Sequence, residues 1–387
     1  MLSFSGNEEI AVSFINRAVL MLAAAGVSVT SAAAPPGTLS FQDPIVQTPA
    51  GAQAWRIRYW TTNDRGQPIQ VTGVVIAPRE AIPAKPRAVL AWTHGTWGVT
   101  EQCAPSLSAN FFTGTPGLTD AIRRGFVVVA PDFPGLGSPM THAFLGGIEA
   151  ANSTLDAVRA ARQISGAASG SRFVVWGESQ GGHAALWTAK RAKAYAPDLQ
   201  LLGAAAAAPP TNLVSNLRAG SDPSIRAFLT AFTAYSWSRH YGAPLATLGN
   251  RSTQGIITRI AQNNCVELGK KPRLGTMLGV LALRKSLKNV DLGSIAPWST
   301  YARQNSVMPS PLGVPLLIAQ NPGDKVVDAQ VTRTFATHYC RNGGRLQYVP
   351  IIGNGHETSA KDSASATLTW AAARFAGAPA PNNCGQF

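Results

Sequence analysis

Charged side chains are scarce in this chain, and acidic ones are the scarcest. Of the 387 residues, 13% are charged and 45% are hydrophobic, with only 19 Asp and Glu against 33 Lys and Arg. Such a composition excludes a disordered chain and is typical of a globular protein with a sizeable apolar core. The length suits one large α/β domain with an insertion, or two ordinary domains.

The shortage of acidic residues leaves a net charge of +14. A nucleic-acid-binding protein would concentrate its cations on one element. Here they are scattered, and the densest run, residues 284–288, is short. We therefore interpret the excess as general surface charge, keep attraction to an anionic lipid interface as the alternative, and predict no nucleic-acid partner. The sequence indicates no obligate protein partner either.

Cysteines are also few. The four of them, Cys103, Cys265, Cys340 and Cys384, are widely spaced and form no Cys-x-x-Cys motif. This spacing argues against a zinc site or a redox motif. An even number of cysteines predicts two disulfides if the protein lies outside the cytoplasm. Three pairings are open at this point.

The apolar run near the N-terminus, residues 18–27, is too short for a membrane-spanning helix. It follows Arg17 and precedes the small residues 31–34, which suit a cleavage site. We therefore predict a signal peptide over residues 1–34 and a secreted or periplasmic protein. An uncleaved membrane anchor is the alternative.

Strand and helix patterns alternate along most of the chain. A helical pattern spans about residues 148–164. Short apolar or alternating runs predict strands at residues 54–60, 69–76, 88–92, 126–130, 172–176, 201–208, 315–319 and 346–352. Repeated strand–helix units predict an α/β fold with a mostly parallel sheet covered on both faces. Ligands then bind at the carboxyl ends of the strands.

One long segment interrupts this alternation. Residues 209–310 contain no strand pattern and are far longer than an ordinary connection. We predict a helical cap there, between a first core part at residues 35–208 and a second, with the C-terminal tail, at residues 311–387. The alternative is an extra helical layer away from the site.

Aromatic residues in this segment are candidates for contact with substrate. Phe228, Phe232, Tyr235 and Trp237 are predicted to form an apolar wall for an acyl chain. Core packing within the cap is the competing role for each of them.

Residues 177–181 read Gly-Glu-Ser-Gln-Gly, which fits the Gly-x-Ser-x-Gly nucleophile elbow of α/β-hydrolases. The apolar run 172–176 predicts a strand before it, and residues 182–190 predict a helix after it. A strand, a tight turn and a helix form the setting in which this turn lifts a serine hydroxyl out of the sheet. Ser179 is therefore the predicted nucleophile.

A serine needs a histidine as general base and a carboxylate that orients the histidine, and in this fold they follow in the order Ser, Asp or Glu, His. His356 lies in a Gly-rich loop just past the last predicted strand. Asp324 ends a turn after the strand at 315–319, and is the predicted acid. Asp328 is the alternative, although it is also placed to cap the next helix.

The oxyanion that develops on the substrate requires hydrogen-bond donors. The backbone N–H of Gln180, the residue after the nucleophile, is predicted to supply the first. The loop after Trp92 is predicted to supply the second at Thr96, whose hydroxyl is a further donor. A plain turn is the alternative role of Thr96.

These motifs resemble those of the secretory lipase family. The resemblance covers roughly residues 38–384 and rests on six short stretches: 94–96, 130–137, 177–183, 208–213, 321–324 and 355–356. It implies an α/β-hydrolase fold with a largely helical cap before the acid-bearing strand, and a triad of Ser179, Asp324 and His356. It also implies the disulfide pairs Cys103–Cys265 and Cys340–Cys384. Residues 321–323 depart from the turn that family members often have before the acid.

The predicted function is therefore an exported serine hydrolase of carboxylic esters, either small molecules or lipids, that acts through an acyl-enzyme without a metal or organic cofactor. Acyl transfer to an alcohol is an alternative on the same triad, and peptide hydrolysis is a weaker one. An alternative of another class is a non-catalytic binding protein on a hydrolase scaffold.

Overall fold

The computed structural model describes residues 33–219, 222–267, 272–353 and 355–387. The predicted signal peptide, residues 1–34, lies almost entirely outside the described residues. Within the described part of the chain, no helix combines the length and the apolar character needed to cross a membrane.

Nine strands form one sheet in the order β1-β2-β3-β5-β4-β6-β7-β8-β9. The strands are β1 (Leu39–Ile45), β2 (Ala52–Thr62), β3 (Pro68–Pro78), β4 (Arg87–Thr93), β5 (Val127–Pro131), β6 (Ser169–Glu178), β7 (Gln200–Ala207), β8 (Leu316–Gln320) and β9 (Leu346–Pro350). β1, β2 and β3 pair antiparallel, as do β3 and β5, whereas β4 to β9 are all parallel. The carboxyl ends of the six parallel strands therefore meet at one edge of the sheet.

The α-helices lie on both faces of this sheet and in the connection between β7 and β8. They are α1 (Phe111–Gly114), α2 (Leu118–Arg123), α3 (Gly147–Ala161), α4 (Gln180–Tyr195), α5 (Leu213–Ala219), α6 (Pro223–Tyr241), α7 (Arg251–Asn263), α8 (Leu274–Ser286), α9 (Trp298–Asn305), α10 (Ala329–Arg341) and α11 (Ser359–Phe375). The mostly parallel α/β architecture is thus the one that the sequence predicts.

Burial on both faces explains why the central strands read as continuous apolar runs. Neighbouring residues of a strand point to opposite faces of the sheet. Val89 and Ala91 of β4 belong to the cluster that includes α3, α4 and α10, whereas Leu90 and Trp92 belong to the cluster that includes α2 and α11. All four side chains are buried.

Residues 209–310, named the cap segment from here on, contain helices α5 to α9. They have an apolar core of their own, whose largest fully buried side chains are Phe232, Trp237 and Trp298. The cap segment leaves the sheet at the carboxyl end of β7 and returns at the start of β8. It therefore begins at the edge of the sheet where the parallel strands end. Residues 34–387, cap segment included, form one compact unit.

Two disulfides are present, and the described residues contain no free cysteine. Cys103–Cys265 joins the region after β4 to the connection between α7 and α8, with the two Cα atoms 5.2 Å apart. Cys340–Cys384 joins the last turn of α10 to the C-terminal tail, with the Cα atoms 5.6 Å apart. This is the pairing that the family resemblance implies.

β1 and α11 are among the elements that were not predicted, and the tail is held more firmly than its composition indicates. β1 is largely exposed, so its sequence carries no apolar alternation, and α11 is rich in Ser, Thr and Ala. In the tail, the Asn383 amide exchanges two hydrogen bonds with the Tyr348 backbone at 2.7 and 2.9 Å, and Phe387 stacks on the Tyr348 ring. The tail is therefore fixed against β9 by more than its disulfide.

Candidate active site

The serine of the Gly-x-Ser-x-Gly motif forms the turn between the end of β6 and the start of α4. Ser179 has φ 54° and ψ −120°, a positive φ that is uncommon and strained for a residue with a side chain. The flanking glycines leave room for this turn, because a Cβ on either Gly177 or Gly181 would collide with atoms of Thr93. The close approach of strand and helix thus holds the serine at the carboxyl edge of the sheet.

A hydrogen-bonded chain links three side chains at this edge. His356 Nε2 lies 2.8 Å from Ser179 Oγ, and His356 Nδ1 lies 2.7 Å from Asp324 Oδ2. Ser179 follows β6, Asp324 follows β8, and His356 opens a short 3-10 turn after β9. The three residues come from sequence positions up to 177 apart. The parallel topology brings them together because each follows a strand that ends at the same edge.

The Asp324 side chain is fully buried and is held on both oxygens. Its Oδ1 accepts hydrogen bonds from the backbone N–H groups of Val326 and Val327 at 2.8 and 2.9 Å. Its Oδ2 accepts from Gln320 Nε2 at 3.1 Å in addition to His356. Asp328 instead caps α10, where its carboxylate accepts from backbone N–H groups of the first turn. The geometry therefore places Asp324, and not Asp328, beside the histidine.

The two residues predicted to supply the oxyanion donors line the same cavity as the serine. Gln180 is the first residue of α4, so its backbone N–H lies among those that have no partner within the helix. Thr96 lies in the loop after β4 and lines the same cavity as Ser179 and Gln180. Residues from two different elements, the loop after β4 and the start of α4, therefore border the space beside the serine.

A buried histidine that the sequence analysis did not single out holds the Gln180 side chain. His142 Nδ1 donates to the Pro134 carbonyl at 2.8 Å, so its Nε2 is free to accept from Gln180 Nε2 at 2.6 Å. Burial lowers the pKa of His142 to about 3, which keeps the ring neutral. His94, beside the Thr96 loop, is likewise kept neutral, because burial lowers its pKa to about 4. Neither residue follows Ser179 in the chain, and no motif marks the role of His142.

Glu178 precedes the serine and points beneath the site. Its Oε1 accepts a hydrogen bond from the Ala360 backbone N–H at 2.8 Å, four residues after His356. Burial raises the pKa of Glu178 to about 7, although the Ala360 bond and the nearby His356 oppose the shift. The side chain thus connects the serine turn with the start of α11, directly after the turn that carries the histidine.

The remaining histidines after Ser179 have other partners or lie elsewhere. His183 Nε2 donates to the Asn305 carbonyl at 2.7 Å, which ties α4 to the cap segment, and His338 lies within α10. His240 pairs with Asp64 at 3.1 Å and lies 3.7 Å from Glu149. Burial opposes protonation of His240, but the hydrogen bond to Asp64 and the charge of Glu149 outweigh it and raise its pKa.

That trio, Asp64, Glu149 and His240, is the one group with metal-ligating spacing among the described residues. The raised pKa of His240 and the lowered pKa of Asp64 favour an ion pair between these two side chains. The group connects the hairpin between β2 and β3 to α3 and α6, and none of its members lines the cavity beside Ser179.

A largely apolar cavity opens beside Ser179 and is closed on one side by the cap segment. The cap residues that line it are Pro210, Leu213, Asn216, Leu217, Ile225, Arg226, Leu229, Thr230 and Thr233. Phe144 and Leu145 line it from the connection before α3, and Lys325, Val326 and Val327 line it from the loop after Asp324. Apolar side chains from α5 and α6 thus face the serine.

The four aromatic residues predicted to form this wall lie elsewhere, which corrects that expectation. Phe232 and Trp237 are fully buried in the core of the cap segment, and Phe228 packs on Phe232 with ring centroids 4.6 Å apart. Tyr235 is buried, and its hydroxyl accepts a hydrogen bond from Gln262 at 3.0 Å. Full burial in the cap core removes more aromatic surface from water than a position in a cavity wall does. These residues therefore pack the core of the cap segment, which was the alternative role predicted for them.

Comparison with known proteins gives a consistent result. The secretory lipase family model (LIP) matches residues 114–243 and 280–383, more than half of the chain. Lipase 5 of Candida albicans is 26% identical over 349 residues, which are 86% of this chain and 74% of that protein. A Mycobacterium tuberculosis protein named a probable inactive lipase is 25% identical over 361 residues, covering 86% and 75%.

Among solved structures, Candida antarctica lipase A in its closed state superimposes with a TM-score of 0.73. The superposition covers 91% of this chain and 85% of that one, at 21% sequence identity. At this identity the likeness concerns the fold, and it establishes the α/β-hydrolase architecture for this chain.

Proposed function

The chain belongs to the secretory lipase family of carboxylic-ester hydrolases, and from this premise we propose that it cleaves esters through an acyl-enzyme on Ser179. His356 acts as general base and Asp324 as the orienting acid. The observation that carries the proposal is the continuous hydrogen-bonded chain from Ser179 through His356 to Asp324, with distances of 2.8 and 2.7 Å.

The first step is attack by the serine. Ser179 Oγ adds to the ester carbonyl carbon while His356 Nε2 takes the hydroxyl proton. The imidazolium that forms is stabilised by the Asp324 carboxylate on Nδ1. Because two backbone N–H groups also hold Asp324, its carboxylate stays in place while the histidine changes charge.

The negative charge on the carbonyl oxygen is stabilised by donors at the Gln180 backbone N–H and at Thr96. Collapse of the tetrahedral intermediate breaks the bond to the alcohol, which leaves with the proton from His356. Water then attacks the acyl-enzyme with His356 again as base, and His356 returns this proton to Ser179 Oγ as the bond to the acyl group breaks and the carboxylic acid leaves. The neutral His142 supports this geometry by holding the Gln180 side chain in place.

The substrate is proposed to be an ester with an apolar acyl group. The wall formed by Leu213, Leu217, Ile225 and Leu229 offers apolar surface within reach of the serine, and such surface favours alkyl chains over polar ones. The family and the two disulfides fit an extracellular protein, and we propose export through the segment at residues 1–34.

The decisive experiment uses Ser179→Ala. We expect a loss of several orders of magnitude in p-nitrophenyl ester hydrolysis, with an unchanged thermal unfolding midpoint, because only the nucleophile is removed. The parent, but not the variant, should be labelled at Ser179 by a fluorophosphonate probe. Near-parental turnover by the variant would contradict the mechanism. An unlabelled, inactive but folded parent would instead indicate a non-catalytic binding protein.

A further inference from the structure

One helix of the cap segment is apolar on two opposite sides. On one side of α8, Thr276, Val280 and Leu283 are buried against the cap core. On the other side, four large apolar side chains face solvent, named here the apolar stripe. Leu274, Met277, Leu278 and Leu281 are 67%, 45%, 58% and 54% exposed. Their spacing of i, i+3, i+4 and i+7 aligns them along one face of the helix.

Single exposed apolar residues are ordinary, but a contiguous row of four indicates a surface that something covers. The row is not needed for packing within the chain, because the opposite side of α8 supplies that contact. Among the described residues, this face of α8 is therefore left exposed to solvent.

The charges around the stripe identify its partner. Residues 272–290 contain four cations, Arg273, Arg284, Lys285 and Lys288, and no Asp or Glu. All four are exposed. Exposed apolar side chains favour insertion into a lipid interface, and neighbouring cations favour one with anionic headgroups. The net charge of +14 adds long-range attraction to the same surface.

The C-terminal end of α8 lies near the active-site cavity. Arg284 Nη1 donates to Ser224 Oγ at 3.2 Å, which joins the last turn of α8 to the first turn of α6. The next two residues of α6, Ile225 and Arg226, line the cavity beside Ser179. A lipid layer that contacts α8 therefore lies close to the rim of the cavity.

From these observations we infer that α8 docks the enzyme on anionic lipid surfaces, with the apolar stripe inserted between the lipids and the flanking cations on the headgroups. This inference rests on the proposed ester-hydrolase function, because docking would bring ester lipids to the cavity. The binding test itself does not require an active triad.

The test measures binding without hydrolysis. The Ser179→Ala protein is sedimented with vesicles of phosphatidylcholine alone and of phosphatidylcholine mixed with phosphatidylglycerol. We expect stronger binding to the anionic vesicles. Leu278→Ser and Leu281→Ser are then introduced into the Ser179→Ala protein. Each should lower the partition coefficient on both kinds of vesicle by about tenfold, because each removes apolar contact with the lipid.

The cations are tested separately. Lys285→Gln and Lys288→Gln should each weaken binding to anionic vesicles by about fivefold and leave binding to neutral vesicles unchanged. The matched control is Ile82→Ser, which removes a side chain that is 61% exposed. Ile82 precedes β4 and so lies at the amino ends of the parallel strands, opposite Ser179, where we expect no effect.

Two results would overturn the inference. One is unchanged vesicle binding by the Leu278→Ser, Leu281→Ser variant with an unchanged unfolding midpoint. The other is a parent that sediments as a dimer and becomes a monomer in that variant, which would assign the stripe to a second copy of the chain. Because inert protein is used, neither result depends on whether Ser179 is the nucleophile.

Discussion

The sheet and the cap segment differ in how completely they bury their apolar side chains. The apolar residues of the central strands are buried on both faces, as for Leu90 at 2% and Val89 at 0% exposure. The cap segment buries Trp237 equally well, yet leaves the stripe of α8 in solvent. The proposed triad follows parallel strands of the sheet, whereas the proposed acyl wall and the proposed lipid-binding stripe belong to the cap segment. Substitutions in the two regions should therefore have effects of different kinds.

The largest effect is expected on kcat, when the carboxylate of Asp324 is replaced by an amide. Asp324→Asn keeps an oxygen that accepts from the Val326 and Val327 N–H groups, so the fold should survive. The amide no longer stabilises the imidazolium and favours the wrong tautomer of His356, so kcat should fall by about 10⁴-fold. Steady-state hydrolysis of a soluble p-nitrophenyl ester measures this.

The control for that prediction is Asp328→Asn. Asn caps a helix about as well as Asp, and Asp328 contacts only the first turn of α10. Its activity and unfolding midpoint should stay near those of the parent. If Asp328→Asn were the inactive variant, the acid would have to be reassigned.

The contrast between the regions also explains what the sequence could predict. Ser179, Asp324 and His356 each follow an apolar strand, and the order of strands in the sheet determines where such residues meet. The strands themselves are readable because both of their faces are buried. β1 is missed for the opposite reason, since five of its seven residues are exposed.

The cap segment resists the same reasoning. Leu229 and Phe232 are three residues apart on α6, so their side chains are neighbours on the helix surface, yet Leu229 lines the cavity and Phe232 is buried in the cap core. Sequence alone does not tell which of two neighbouring large apolar residues meets the active site. The partners of His142 were missed for a related reason. They are the Pro134 carbonyl, in a loop, and the Gln180 side chain, on α4, and these contacts depend on tertiary packing.

A smaller effect is expected at Glu178, where burial in the sheet region raises the carboxyl pKa from 4.5 to about 7. The folded protein then binds this proton more tightly than the unfolded chain does. Stability should therefore fall as the pH rises from about 4.5 to 7, by roughly 3 kcal/mol at most. Glu178→Gln keeps an oxygen for the Ala360 N–H but has no charge to lose.

Urea unfolding of both proteins at about pH 5 and pH 8 isolates this effect, because all other titrating groups are shared. The free energy of unfolding of the variant should rise relative to that of the parent only at the higher pH. An equal difference in unfolding free energy at both values would show that Glu178 is not protonated in the fold, and that the Ala360 hydrogen bond outweighs burial.

The smallest effect, and the one that most sharpens the comparison, concerns Leu229 and Phe232 on the same helix. Leu229 lines the cavity, so Leu229→Ala enlarges it and should favour long over acetate esters by about tenfold, while Leu229→Phe should shift the ratio in the opposite direction. Phe232 is fully buried in the cap core. Phe232→Ala should cost about 3–5 kcal/mol of stability and leave the ratio of kcat/KM values for long and acetate esters unchanged at temperatures where the variant is folded. Opposite shifts from the two Leu229 variants are the critical result, because general damage to the cap segment cannot change selectivity in both directions. If this ratio changed in Phe232→Ala instead, the acyl wall would have to be reassigned to Phe232.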